Sequence, residues 1–228
     1  MAQKMLSINI NGNPYTAPAG MTILEAAKEN GIEIPTLCYL KDYSPIGACR
    51  VCVVEVEGSR TLVGSCHTPI AEGMIVRTHT PRVVETRKVL IELMMASHPD
   101  SCIICNKANI CGLRKLCADY DIGLPRFRLR KHFFQVEEEN TAIIRDMSKC
   151  ILCRRCVIAC KNLAGEHLFS MGYRGFETKV IYGMDQPLDS NETCAECDTC
   201  ISYCPTGALR KPMRAGEEKK GQVLYLKG

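Results

Sequence analysis

The chemistry of this sequence is carried by cysteine. Sixteen of its 228 residues are cysteines, and they fall into groups of four. Cys150, Cys153, Cys156 and Cys160 read C-x2-C-x2-C-x3-C; Cys194, Cys197, Cys200 and Cys204 repeat that spacing, with Pro205 behind the last. Three closely spaced thiolates in a turn can cap three irons of one cubic [4Fe–4S] cluster, and the fourth starts a helix that carries it towards a neighbouring cube. That crossover groups Cys150, Cys153, Cys156 and Cys204 around one cluster, and Cys160, Cys194, Cys197 and Cys200 around another. The bland alternatives are structural zinc sites or disulfides, but zinc sites rarely repeat four thiolates at this spacing.

Two further sets lie upstream. Cys38, Cys49, Cys52 and Cys66 are spaced C-x10-C-x2-C-x13-C. Four cysteines on loops suit a [2Fe–2S] rhomb, which needs two thiolates on each iron; a zinc knuckle is the competing possibility. His98, Cys102, Cys105 and Cys111 read H-x3-C-x2-C-x5-C, a complete four-ligand set for a [4Fe–4S] cluster. A histidine in place of a thiolate removes one negative charge and should raise the potential. Cys117 keeps an all-cysteine set open, with Cys102, Cys105 and Cys111. His67, His79 and His167 have no partner pattern and read as ordinary histidines.

The elements that must hold these ligands are short. Met5 to Ile10 alternates as a strand, Asn11 to Pro14 is a turn, and Tyr15 to Ala19 returns. Thr22 caps a helix through Asn30, with Gly31 at its end. Val51 to Val56 and Met74 to Thr78 are further strands, which together predict a β-grasp domain over residues 1–80. Thr80-Pro81 opens a helix that stops at His98-Pro99. It begins a small helical segment, residues 81–123, for the His/Cys-ligated cluster. A two-cluster module follows over residues 124–210, then a tail at 211–228, polar at first and apolar at Val223, Leu224 and Leu226. Within the module, Arg126, Arg128 and Arg130 predict a strand with one basic, solvated face, followed by Lys131 and His132 and balanced by Glu137 to Glu139. Lys149, Arg154, Arg155 and Lys161 compensate anionic clusters. Gly172 to Ile181 forms a hairpin over them, and Pro205 to Arg210 a closing helix and strand. The class is α+β.

Residues 150–204 resemble bacterial two-cluster ferredoxins, departing from them by Lys161 in place of the first proline and by the long insert 161–193. Over residues 1–210 the sequence is similar to the N-terminal iron–sulfur region of the complex I large subunit and of [FeFe]-hydrogenases, with four ligand sets in the same order. The resemblance implies one [2Fe–2S] and three [4Fe–4S] clusters and favours His98 over Cys117 as the fourth ligand. It further implies a flavoprotein NAD(P)H-binding subunit, a thioredoxin-like [2Fe–2S] subunit and a terminal redox subunit as partners. No molybdopterin-reductase-like domain or H-cluster cysteines follow in the sequence, so the expectation is the conduit without the catalytic terminus.

The remaining features exclude more than they add. A net charge of +4 is too mild to argue for nucleic acid. No GxGxxG, P-loop or GxSxG motif is present. The N-terminus lacks signal-peptide character, and no apolar run approaches the roughly 20 residues that span a bilayer. In a reducing cytoplasm, cysteines at ligand spacing hold metal. The expectation is a non-catalytic electron-transfer subunit of a soluble, hetero-oligomeric NAD(P)-linked complex of the hydrogenase, formate dehydrogenase or transhydrogenase type in an anaerobe, with electron bifurcation as one form of its activity. A free-standing polyferredoxin-like shuttle is the alternative.

Overall fold

The computed structural model describes residues 4–99, 102–127, 134–138, 143–185, 194 and 197–212. Its first region is a five-stranded mixed sheet gripping one helix. Strands β1 (Met5–Ile10) and β2 (Asn13–Pro18) form a hairpin. Its two-residue turn, Asn11-Gly12, has φ of 55° and 90°, the left-handed pair that matches strand twist. Leu6, Ile8 and Ile10 point inward at every second residue. Helix α1 (Ile23–Glu29) starts with a capping box: Thr22 Oγ1 accepts from the Glu25 amide, and the Glu25 carboxylate accepts from the Thr22 amide. Its Ile23, Leu24, Ala26 and Ala27 are buried with those strand residues.

Strands β3 (Val53–Val56), β4 (Val63–Gly64) and β5 (Met74–Arg77) complete the sheet in the order β2-β1-β5-β3-β4, with β5 parallel to β1. This is the predicted β-grasp. Strand β4 is too short to leave an alternation in the sequence.

Helix α2 (Pro81–Ser97) is capped by Thr80 and ends at His98, as predicted. Two buried side chains fix it. The Arg87 guanidinium, fully buried, donates to the Val53 carbonyl at 2.7 Å and to the Tyr120 hydroxyl at 3.1 Å. Glu92 accepts three hydrogen bonds from the Arg126 guanidinium, at 3.0, 2.9 and 2.7 Å. The predicted basic strand is therefore corrected where it is described: Arg126 and Phe127 are in no strand, and Arg126 clamps Glu92 rather than lining an edge. Arg128, Arg130, Lys131, His132 and Glu139 lie outside the described residues, as does the tail beyond 212.

Helix α3 (Gly112–Asp119) packs on α2. Beyond it, β6 (Ile144–Arg145) pairs with β9 (Leu209–Arg210), and α4 (Arg155–Asn162) packs on α5 (Thr199–Tyr203). Strands β7 (Phe169–Gly172) and β8 (Lys179–Tyr182) form the hairpin of the insert. Phe176 sits in the turn that connects them. The predicted helix after Pro205 is also corrected: α5 ends before Cys204, and residues 205–208 turn directly into β9. Pro205 lacks the amide that a continuing helix would use. Among the described residues no helix is long and apolar enough to cross a membrane.

Candidate iron–sulfur centres

All sixteen cysteines are free thiols, and the β-grasp gathers the first four in two pairs. The Cys49 thiol donates to Cys38 and draws it down to about 6, against the opposing effect of burial. The Cys66 thiol does the same for Cys52, again down to about 6. Cys49 and Cys66 are correspondingly pushed up, first by the thiol each serves and then by burial. Two pairs of sulfurs, each pair sharing one proton, fit a rhomb with two thiolates per iron. Arg50, between Cys49 and Cys52, has φ of 58°. A non-glycine residue there costs roughly 1–2 kcal/mol, strain that a ligand loop can hold in place.

His98 closes the second set. It is 7% exposed, and with Cys102, Cys105 and Cys111 it lines a small cavity, together with Ala108, Arg114, Lys149 and Gly207. Its Nδ1 donates to the Pro99 carbonyl at 3.1 Å, because a carbonyl can only accept. That leaves Nε2 with the lone pair, and Nε2 is buried with no hydrogen-bond partner. Burial also holds the imidazole below its ordinary pKa and therefore neutral. A neutral imidazole oriented by a backbone carbonyl is the form that binds metal. Cys117 does not line that cavity, although the Cys102 and Cys111 sulfurs lie close enough to act on it. It sits in the apolar cluster of Leu37, Val51, Ile91, Leu113 and Leu116, with its thiol pushed up to about 11, chiefly by burial.

The tandem runs enclose two more cavities. One is lined by Cys150, Cys153, Cys156 and Cys204, among Met147, Ile151, Val180 and Leu209. The other is lined by Cys160, Cys194, Cys197 and Cys200, among Ile143, Leu168 and Phe169. The fourth cysteine of each run therefore stands at the other run's cavity. Helix α4 does this by carrying Cys156 on its first turn and Cys160 a turn later. Leu152 and Arg154 both take left-handed conformations, φ 55° and 58°, and bend the chain around the sulfurs. The Leu152 and Leu168 amides donate to Cys150 and Cys160 sulfurs, each at 3.4 Å. Burial pushes the Cys150 thiol to about 11 and Cys153 and Cys200 to about 12. Sulfur donors around dry, near-apolar cavities fit cubic clusters, and no three His, Cys, Asp or Glu side chains among the described residues are arranged to hold a single ion.

The cavities are stacked out of chain order. Cys153 shares an apolar cluster with Cys38 and Cys49, so the Cys150 cavity adjoins the first site. Gly207 lies between the Cys150 and His98 cavities. A Cβ there would meet the Cys105 sulfur at 2.7 Å. Lys149 lines the His98 cavity and pairs with Asp146 at 2.7 Å. Arg154 lines the Cys150 cavity, Arg155 lies over the Tyr203 ring, and Lys161 is exposed. His79 and His167 touch no cysteine site among the described contacts. His67 does: its Nδ1 is 3.5 Å from the Cys66 sulfur. Its position directly after a ligand cysteine was the available signal.

Three family models match the chain: a 2Fe-2S iron-sulfur cluster binding domain over residues 3–81, the NADH-ubiquinone oxidoreductase-G iron-sulfur binding region over 87–126, and a 4Fe-4S dicluster domain over 149–208. The HndD subunit of the NADP-reducing hydrogenase of Solidesulfovibrio fructosivorans is 39% identical over 90% of this chain and 36% of its own length. The G 2 subunit of the NADH-quinone oxidoreductase of Rhizobium meliloti is also 39% identical, over 90% of this chain and 24% of its own length. The chain thus spans about a quarter to a third of these two relatives. The gamma subunit of the NAD-reducing hydrogenase HoxS of Cupriavidus necator is 32% identical over 96% of this chain and 93% of its own length. Among solved structures, a chain of an NAD+-reducing [NiFe]-hydrogenase in the H2-reduced state superposes with a TM-score of 0.81, at 26% identity, over 90% of this chain and 86% of that one.

Proposed function

The chain belongs to the family of iron–sulfur subunits that includes the HoxS gamma subunit and the iron–sulfur region of the NADH-quinone oxidoreductase G subunits, and from that premise we propose a one-electron relay with four centres. Cys38, Cys49, Cys52 and Cys66 hold a [2Fe–2S] cluster. His98 with Cys102, Cys105 and Cys111, Cys150 with Cys153, Cys156 and Cys204, and Cys160 with Cys194, Cys197 and Cys200 each hold a [4Fe–4S] cluster. The observation that carries this reading is the coincidence of three separate cavities with three four-donor sets.

Bound clusters supply reversible one-electron storage. The chain's own residues hold them, keep water away and offset their charge. The apolar walls of the tandem cavities lower the local dielectric, and Arg145, fully buried and donating to Glu137 and the Val180 carbonyl, keeps a positive charge near Cys150. His98 supplies a neutral donor in place of a thiolate.

The setting we propose is a cytoplasmic, hetero-oligomeric NAD(P)-linked complex of the hydrogenase, formate dehydrogenase or transhydrogenase type, bifurcating in some forms, in an anaerobe. Its partners are a flavoprotein NAD(P)H-binding subunit with its thioredoxin-like [2Fe–2S] companion and a terminal redox subunit. Ile103, Ile104 and Ile110, exposed at 99%, 81% and 75%, flank the cysteines of the His98 set and offer an apolar contact for one partner. Iron and acid-labile sulfide analysis of the complex purified from native cells tests this. We expect at least ~14 of each per copy of this chain, the sum for its own one [2Fe–2S] and three [4Fe–4S] clusters, with the partner subunits' iron in addition and a flavoprotein co-purifying. A zinc-loaded chain, or a monomer with no flavoprotein, overturns the proposal; a monomer carrying the full iron would mark the free shuttle instead.

A further inference from the structure

His67 is the first residue after a proposed ligand, and its ring is gripped on three sides. Nδ1 lies 3.5 Å from the Cys66 sulfur, and Nε2 lies 3.4 Å from Arg50 Nη1. The ring sits over two glycines: a Cβ on Gly64 would fall 2.3 Å from His67 Cε1, and one on Gly47 3.4 Å from Nδ1. Gly47 and Arg50 belong to the loop that carries Cys49 and Cys52, and Gly64 ends β4 two residues before Cys66.

The hydrogen bonds fix the tautomer. A guanidinium only donates, so Nε2 accepts from Arg50. In the neutral ring the proton is then on Nδ1, the nitrogen that faces sulfur. The result is an N–H···S bond whose direction is set by Arg50 from the far side of the imidazole. A donor at a cluster sulfur stabilises the more negative, reduced state more than the oxidised one, so it raises the potential.

We propose that Arg50 and His67 form a potential-setting relay, with His67 donating from Nδ1 to the Cys66 sulfur and Arg50 acting as the positioning residue that holds the imidazole in that tautomer. The inference rests on the reading that Cys38, Cys49, Cys52 and Cys66 bind a [2Fe–2S] cluster.

The test is an EPR-monitored potentiometric titration of the native complex and its variants, with the three [4Fe–4S] signals as internal references. His67→Ala should cut the reduced-to-oxidised ratio of the [2Fe–2S] centre at fixed ambient potential by about threefold, which at 59 mV per tenfold is a fall of about 28 mV. His67→Asn, whose amide nitrogen can reach the same sulfur, should recover most of it. Arg50→Met should lower the ratio by a smaller factor alone and by nothing further in the His67→Ala background. Pulsed EPR of the wild-type reduced centre should show a weak histidine-nitrogen coupling that His67→Ala and His67→Asn abolish.

An unchanged midpoint in His67→Ala overturns the relay, as does an equal Arg50→Met effect in both backgrounds, which would mark simple charge. Should His67→Ala lose the centre, the wild-type nitrogen coupling and the His67→Asn midpoint decide: absence of the coupling, or a midpoint as low as that of Arg50→Met, overturns it. A wild-type complex whose [2Fe–2S] signal is no more than the companion subunit alone supplies sinks the ligand assignment instead.

Discussion

The β-grasp and the tandem-run module solve the same problem with opposite materials. In the β-grasp a hydrocarbon core comes first. Leu6, Ile8, Ile10, Ile23, Leu24, Val54 and Val76 are buried together, and of the four cysteines of the domain Cys52 and Cys66 join that cluster. In the tandem module the core contains Cys156, Cys160, Cys194 and Cys200, and its strands are two to four residues long. Small modules with little apolar mass depend on inorganic groups for their stability. One region is therefore a scaffold that accepts a cofactor, and the other needs the cofactor as part of its core.

The largest effect expected from that contrast is on chelation. Stripping iron from the full chain should unfold residues 143–210, read as a loss of amide protection from hydrogen exchange, while β1, β3 and β5 stay protected. Comparable protection of both regions without iron would abolish the distinction. A narrower break comes next. His98→Ala should remove ~4 iron and one [4Fe–4S] signal, whereas Cys117→Ser should remove none. Loss of that signal from Cys117→Ser alone would replace His98 in the ligand set.

Protonation sharpens the comparison further. Cys38 and Cys52 are drawn down to about 6 by neighbouring thiols, so at pH 7 each pair already presents a thiolate. Burial holds Cys150, Cys153 and Cys200 at about 11 to 12, above the ordinary 9.0, so their protons must leave before iron can bind. Raised values favour the protonated thiol in the folded, iron-free chain, so cluster incorporation there is opposed at low pH and eased as pH rises. Cys49 and Cys66, pushed up by the thiols they serve and by burial, must lose their protons too, so reconstitution followed between about pH 7 and 9 should show a rise at every site, steeper at the [4Fe–4S] signals, where no cysteine is drawn down. A pH-independent yield at all sites would remove the electrostatic half of the contrast.

What was legible in the sequence follows the same line. The β-grasp could be read because its strands alternate and its helix carries a capping box; only β4, two residues long, left no trace. The cysteine groupings were legible because C-x2-C-x2-C-x3-C fixes where each side chain stands on a turn and the first turns of a helix. The helix predicted after Pro205 failed because nothing local opposes it: the turn at 205–208 is held by distant partners, Thr206 Oγ1 donating to the Lys149 carbonyl and the Asp146 amide to the Ala208 carbonyl. Arg126 was misread for the same reason, its carboxylate partner being Glu92, 34 residues away. His67 was passed over because a histidine's role depends on what its two nitrogens meet. Spatial order was hidden as well: the Cys150 cavity lies beside both the first site and the His98 cavity, although in sequence it follows them.

The smallest expected effect tests whether the two regions fold as separate units. Thr22 Oγ1 accepts from the Glu25 amide in the first turn of α1, and the Thr22 amide donates back to the Glu25 carboxylate. Thr22→Ala should cost about 1 kcal/mol, the ordinary worth of an N-cap. The cost should fall on the β-grasp alone, because α1 packs within that core and its cap is bridged to Pro69 of the same domain. In denaturant titration of the iron-loaded protein, the transition that bleaches the [2Fe–2S] absorbance should move to lower denaturant and the transition that bleaches the [4Fe–4S] absorbance should stay. If both move together, Arg87 and the apolar cluster shared by Cys38, Cys49 and Cys153 couple the regions into one cooperative unit, and the scaffold's stability is then also the cofactor core's.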